Sequence, residues 1–103
     1  MNHYVFRWAV WEVDFAGNKD GGYKGSRHVV GFNAVTGRGR VSTPIKSWDP
    51  DTQTAVTMSG STYILVGRPA ADSNDNAEWH LYQTYKKVGF ALDVTTDYMG
   101  QYA

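Results

Sequence analysis

The side chains of this chain best suited to chemistry are cations and aromatics, grouped in two places. Residues 17–28, GNKDGGYKGSRH, set Tyr23, Lys24 and Arg27, with Lys19, on a glycine-rich stretch. Exposed backbone N–H groups among cations are a means of closing over a phosphate or a nucleotide. The glycine spacing follows neither the Walker nor the dinucleotide pattern, so a solvated hairpin loop is the competing reading. The second group is Arg38 and Arg40 in a turn, with Arg68 at a strand end. If Lys24, Arg27, Arg38 and Arg40 share one rim with Trp48 or Tyr23 exposed, that rim binds a phosphodiester and stacks a base on the ring.

Other residue types point away from catalysis. His3, His28 and His80 stand in different elements, and none has a second ligand at the spacing of a metal site on one element. Ser26, Ser42, Ser47, Ser59 and Ser61 lie in turn contexts and none forms a Gly-x-Ser-x-Gly elbow. Glu12 and Asp14 share a face of one strand, Glu78 has a capping role, and Asp49, Asp51, Asp72 and Asp75 suit turns and a cap. The run DPDTQT resembles the start of a calcium loop but lacks its glycine and its closing glutamate. The expectation is therefore no catalytic group, no metal site and no cofactor.

The elements that must position these groups are mostly strands. Tyr4 to Phe15 loads both faces, with Tyr4, Phe6, Trp8 and Val10 on one and Val5, Ala9, Trp11, Val13 and Phe15 on the other, which predicts a long strand covered on both sides. Residues 16–26 read as a loop. Arg27 to Val35, a turn at residues 36–39 and a strand from Arg40 to Ile45 predict a hairpin, with Pro44 at a strand end or sheet edge. Asp49-Pro50-Asp51 starts a turn beside Trp48. In TMSGSTYILVGRP, residues 57–69, a Gly60-Ser61 turn would pair Met58 with Tyr63, Thr57 with Ile64 and Val56 with Leu65.

Asp75 and Glu78 form a capping box ahead of Ala77, Leu81, Tyr85 and Val88, and Gly89 stands where a helix would stop. This predicts a helix over about residues 76–88. Residues 90–94 alternate as a last strand, and TTDYMGQYA reads as a frayed tail. The expected fold is α+β: five or six mostly antiparallel strands in a curled sheet or small barrel, with that one helix packed on it.

The 103 residues suit one domain, 1–103, with no internal repeat or linker. Ten basic and ten acidic side chains cancel, so a nucleic-acid or anionic-membrane site has to be local. The chain has no cysteine, its start lacks the pattern of a secretory leader, and no run has the composition of a membrane span. Cytoplasm is the expected compartment. The 15% aromatic content exceeds what a core of this size can hold, which leaves rings for a surface.

The run Thr43-Pro44-Ile45, Asp49, Thr57, Ser59-Gly60, Tyr63, Leu65, Gly67 and Pro69, within residues 41–69, resembles a pattern of small bacterial and phage β-rich proteins with a T-x-S-G-x-x-Y-x-L-x-G-x-P hairpin. The resemblance covers about a third of the chain and implies a β-rich core and a phage or mobile-element origin, with no activity attached to any residue. It favours an inhibitor that occupies the surface of a host protein, such as a defence protein.

The leading expectation is a non-enzymatic protein-interaction module, binding a protein partner or itself as a homodimer through Trp48, Tyr23 and the C-terminal tyrosines. The alternative is nucleotide or nucleic-acid binding through Lys24, Arg27, Arg38, Arg40 and Arg68. A small enzyme of unknown class comes third.

Overall fold

A computed structural model of the chain describes residues 2–15, 25–69 and 88–99. Seven strands lie in one sheet: β1 (Asn2–Phe15), β2 (Ser26–Asn33), β3 (Gly39–Val41), β4 (Ile45–Asp49), β5 (Thr54–Thr57), β6 (Thr62–Leu65) and β7 (Val88–Asp93). The order is β3-β2-β1-β6-β5-β4, with β7 also on β1. The long aromatic strand read from the sequence is thus the spine of the sheet. One of its edges runs antiparallel to β2. Its other edge is divided, taking β6 in parallel at residues 2–5 and β7 antiparallel at residues 11–15.

Between those two partners β1 bulges. Arg7 has φ of 48°, a left-handed conformation uncommon outside glycine, and the pairing with β2 slips between Phe6 and Ala9. A residue inserted in a strand reverses which face the following side chains take. His3 and Val5 are therefore buried before the bulge, and Trp8 and Val10 join Val5 in the core after it. The expected single-phase alternation, with Tyr4, Phe6, Trp8 and Val10 on one face, is corrected accordingly: Tyr4 and Phe6 point outward, 50% and 36% exposed. Ala9, Trp11 and Val13 are buried on the opposite side, so two-sided burial holds beyond the bulge and fails at residues 4 and 6.

The core gathers Val5, Trp8, Val10, Val29, Ala55, Tyr63, Leu65, Val94 and Tyr98, with Ile45 and Trp48 packed against it. Tyr98 belongs to a short 3-10 helix, Thr95–Tyr98, and its ring meets Trp48 edge-on at 5.2 Å. The Val10 N–H donates to Thr95 Oγ1 at 3.0 Å, so this part of the chain is tied to the spine and is not the frayed tail that its composition suggested.

The expected α+β class is overturned. The described chain is nearly all β, with no α-helix among the described residues, and the sheet is mixed and not closed into a barrel. Residues 76–87 of the expected helix lie outside the described residues. Its last residue, Val88, opens β7 and pairs with Phe15, and Gly89 is a strand residue and not a helix stop. At Val88 and Gly89 the antiparallel strand on the edge of β1 takes the place of the expected end of the helix.

The expected β2–β3 hairpin forms, but its second strand, expected from Arg40 to Ile45, stops at Val41 and Ile45 opens β4 instead, while the turn expected at Asp49 joins β4 to β5. Between β2 and β3, Asn33 Oδ1 accepts from the N–H groups of Val35 and Thr36 and Gly37 supplies φ of 73°. Pro44 precedes the edge strand β4, and Asp49 Oδ1 accepts from Asp51 N–H in the turn that follows. The β5–β6 hairpin forms in a different register from the expected one: Ala55 faces Tyr63, Val56 faces Thr62 and Thr54 faces Ile64. The loop is Met58-Ser59-Gly60, closed by Thr57 N–H on Ser61 O and Gly60 N–H on Thr57 O. This register buries Thr57, whose hydroxyl is bonded to Ser59 and Ser61, and turns Met58 to solvent.

Candidate functional site

The expected basic rim is dispersed by the sheet. Tyr23 and Lys24 lie outside the described residues. Arg27 sits on β2 opposite Glu12 and makes ion pairs of 3.2 Å with both Glu12 and Asp97. Its hydrogen bond to Tyr98 Oη, and then the one to Glu12, hold the guanidinium further above its ordinary range than burial draws it down. Arg27 therefore ties β2 to β1 and to the 3-10 helix. Arg40 instead reaches His3, at the other end of β1 from Glu12, about 30 Å along the strand. Arg38 is exposed in the β2–β3 connection, and Arg68 is exposed after β6. Trp48 is half-buried at the core margin, with one edge spent on Tyr98.

The structure brings together two groupings that spacing in the chain did not reveal. The first is on the outer face of β2, β1 and β6. Phe6 pairs with Phe32 across strands, with ring centroids 6.0 Å apart, and Arg7 places its guanidinium 5.8 Å from the Phe32 ring. Tyr4 stands opposite Ile64, and Val66, 42% exposed, follows where β6 leaves the sheet. Val35 projects from the turn whose Ala34 N–H bonds Tyr4 O. Aromatic and aliphatic side chains from three neighbouring strands thus share this face. The signal in the sequence was the charged Arg7 interrupting an otherwise aromatic strand.

The second grouping is on the inner face at the same end of β1. Arg40 Nε donates to Tyr63 Oη at 3.0 Å, and Nη2 lies 3.2 Å from His3 Nε2. Arginine only donates, so His3 Nε2 accepts and the ring is neutral, with its proton on Nδ1. Burial, and then the charge of Arg40, hold the His3 imidazole below its usual range. The ring lies 4.8 Å from that of Tyr63, and the Arg40 guanidinium 5.8 Å from the Tyr63 centroid. Arg40 crosses over Gly31, its partner on β2, to reach these groups.

The remaining polar clusters are structural. His28 is fully buried: its Nδ1–H donates to Ser42 O at 2.8 Å and its Nε2 accepts from Ser26 Oγ at 2.6 Å. Thr43, Ser59 and Thr57 join hydroxyls where the β3–β4 connection meets the β5–β6 loop, and Met58 N–H bonds Pro44 O at the same junction. Among the described residues no group of three or more His, Cys, Asp or Glu is placed to hold a metal ion. No helix among them is long and apolar enough to cross a membrane. Compared with known protein families, curated proteins and solved structures, the chain matches none at significance.

Proposed function

We propose that this protein is a non-enzymatic interaction module that occludes the surface of a protein partner through the outer face of β1. The observation that carries this reading is the exposure of Tyr4 and Phe6 side by side with Phe32 and Val66 around them. Rigid rings cost little side-chain entropy on docking, and their removal from water supplies most of the affinity at such interfaces. Arg7 lies over Phe32 at the margin of this face. The resemblance of residues 41–69 to small phage and bacterial proteins leads to the same kind of role, an inhibitor of a host protein. The contact differs from the one expected at Trp48, because Trp48 and Tyr98 spend much of their surface on each other and on the core.

A photo-crosslinking residue at position 4 tests the reading, with the same residue at exposed Met58 as control. The expected product is a discrete heterologous adduct from position 4 that is missing from position 58 and is suppressed by Phe6→Ser. Adducts only with a second copy would replace the foreign partner by a homodimer, and equal labelling from both positions would remove the proposed surface.

A further inference from the structure

On the face opposite Tyr4 and Phe6, one arginine lies over two buried rings at the start of β1. His3 and its neighbour on β6, Tyr63, are 6% and 4% exposed, with ring centroids 4.8 Å apart. Arg40 reaches them from β3, the three-residue strand at the sheet edge, and is itself exposed. Its Nε donates to Tyr63 Oη and its Nη2 to His3 Nε2, so side-chain bonds from β3 cross β2 to both β1 and β6. The two acceptors differ in kind. A phenol oxygen accepts at any pH below about 10, whereas His3 Nε2 accepts only while it carries no proton.

We propose that His3, Tyr63 and Arg40 form a proton-sensitive latch, which keeps Arg40 closed over the Tyr63 ring at neutral pH and releases it in mild acid. A proton on His3 Nε2 abolishes the acceptor and sets an imidazolium against the guanidinium that was bonded to it, 3.2 Å away. The groups facing His3 do not offset that charge. From β3 comes the Arg40 cation, from β6 the neutral Tyr63, and the α-amino group adds a second positive charge. No carboxylate among the described residues makes an ion pair with His3 or Arg40. Of the two cations Arg40 is the one at an exposed edge, so it is the one that leaves, and its departure lets water reach the imidazolium and the Tyr63 hydroxyl. The backbone of β3 stays, because Asn33 N–H on Arg38 O and Ser42 N–H on Val29 O fix the strand at both ends without the Arg40 side chain. Burial and then the Arg40 charge hold the His3 imidazole below its usual range. The latch is therefore closed above about pH 6.5 and opens as pH falls through the lower, folded value.

The test follows the isotope-labelled full chain by NMR from about pH 8 to about pH 5. The His3 ring nitrogens, the Arg40 Nε–H signal and the Tyr63 ring are expected to change together, with one midpoint below about 6.5, while the amides of Val29, Val30 and Phe32 stay dispersed. Arg40→Gln, which removes the opposing charge, should raise the proton affinity of His3 about threefold or more. His3→Gln supplies an amide oxygen that accepts at every pH, and should leave the Arg40 signal unmoved across the range. Arg38→Gln, the neighbouring exposed cation, should change the proton affinity of His3 by less than about twofold. An Arg40 signal that ignores the titration of His3, or a His3 midpoint unchanged by Arg40→Gln, would overturn the latch. Loss of all the sheet amides at that midpoint would overturn it in favour of global acid unfolding.

Discussion

The indole N–H of Trp8 donates to Gly67 O at 3.1 Å, joining the spine strand to the chain just beyond β6. This bond lies in the gap where β1 exchanges one neighbour for another. Val5 O is taken by Val66 N–H and Val10 O by Val94 N–H, and between them neither β6 nor β7 lies alongside. The bulge at Arg7 turns Trp8 into that gap, and the fully buried ring fills it. The same bulge leaves Phe6 on the outer face, so the exposed aromatic surface and the change of neighbour along β1 have a common cause.

Gly31 is the residue that lets β2 lie against this bulge. A Cβ there would stand 3.1 Å from Phe6 O and 3.2 Å from Trp8 Cα, both backbone atoms. Gly31→Ala is expected to destabilise the protein by about 1–3 kcal/mol through overpacking. Urea unfolding followed by tryptophan fluorescence measures it. An unchanged midpoint would mean that the bulge yields freely.

Gly60 tests backbone conformation in isolation. Its φ is 87° and no atom lies within 4 Å of the position a Cβ would take, so the loss in Gly60→Ala comes from the dihedral alone. The expected cost is about 1 kcal/mol, and less for Gly60→Asn, since asparagine adopts left-handed conformations more readily. Thermal unfolding of the two variants should rank glycine above asparagine above alanine, and any other order contradicts the three-residue loop.

Stability should fall on mild acidification. His28 is held below the ordinary imidazole range by burial, against the opposing pull of its bond to Ser42 O, and His3 by burial and then by Arg40. An unfolded imidazole takes its proton near about pH 6.5, and the folded rings take theirs only at lower pH. Between those values the unfolded chain binds more protons, so the stabilisation is complete above about 6.5 and is lost as pH falls through that value toward the folded ones. Urea midpoints should decline from about pH 8 to about pH 5, with part of the slope removed by His3→Gln. A midpoint that rises on acidification would contradict the neutral His3 required by Arg40.

Legibility followed how local each cause was. The β2–β3 hairpin was readable because Gly37 turns the chain among near neighbours, whereas Asn33, read only as a strand residue, is what accepts from Val35 and Thr36. The β5–β6 register was not, because a rule that sets large residues against large ones chose Met58 with Tyr63. In the fold the small Ala55 faces Tyr63, both in the core, and Met58 faces water in the loop. Asp97 and Tyr98 looked like parts of a tail because their partners, Arg27 and Trp48, are far away in the chain. The helix expected over residues 76–88 rested on caps and spacing, but Val88 sits beside an unpaired edge of β1, and a ladder of hydrogen bonds there decides its conformation.

The sequence by itself determined the β-strand spine, the turns at Gly37 and Asp49, and an excess of aromatics over what a core can hold. These depend on side-chain type and on dihedral preferences within a few residues. Only the tertiary structure decided which rings stay outside and which groups meet across the sheet. One inserted residue at Arg7 reverses the faces of a strand, and Arg40 finds His3 and Tyr63 only once the sheet has brought three distant segments together.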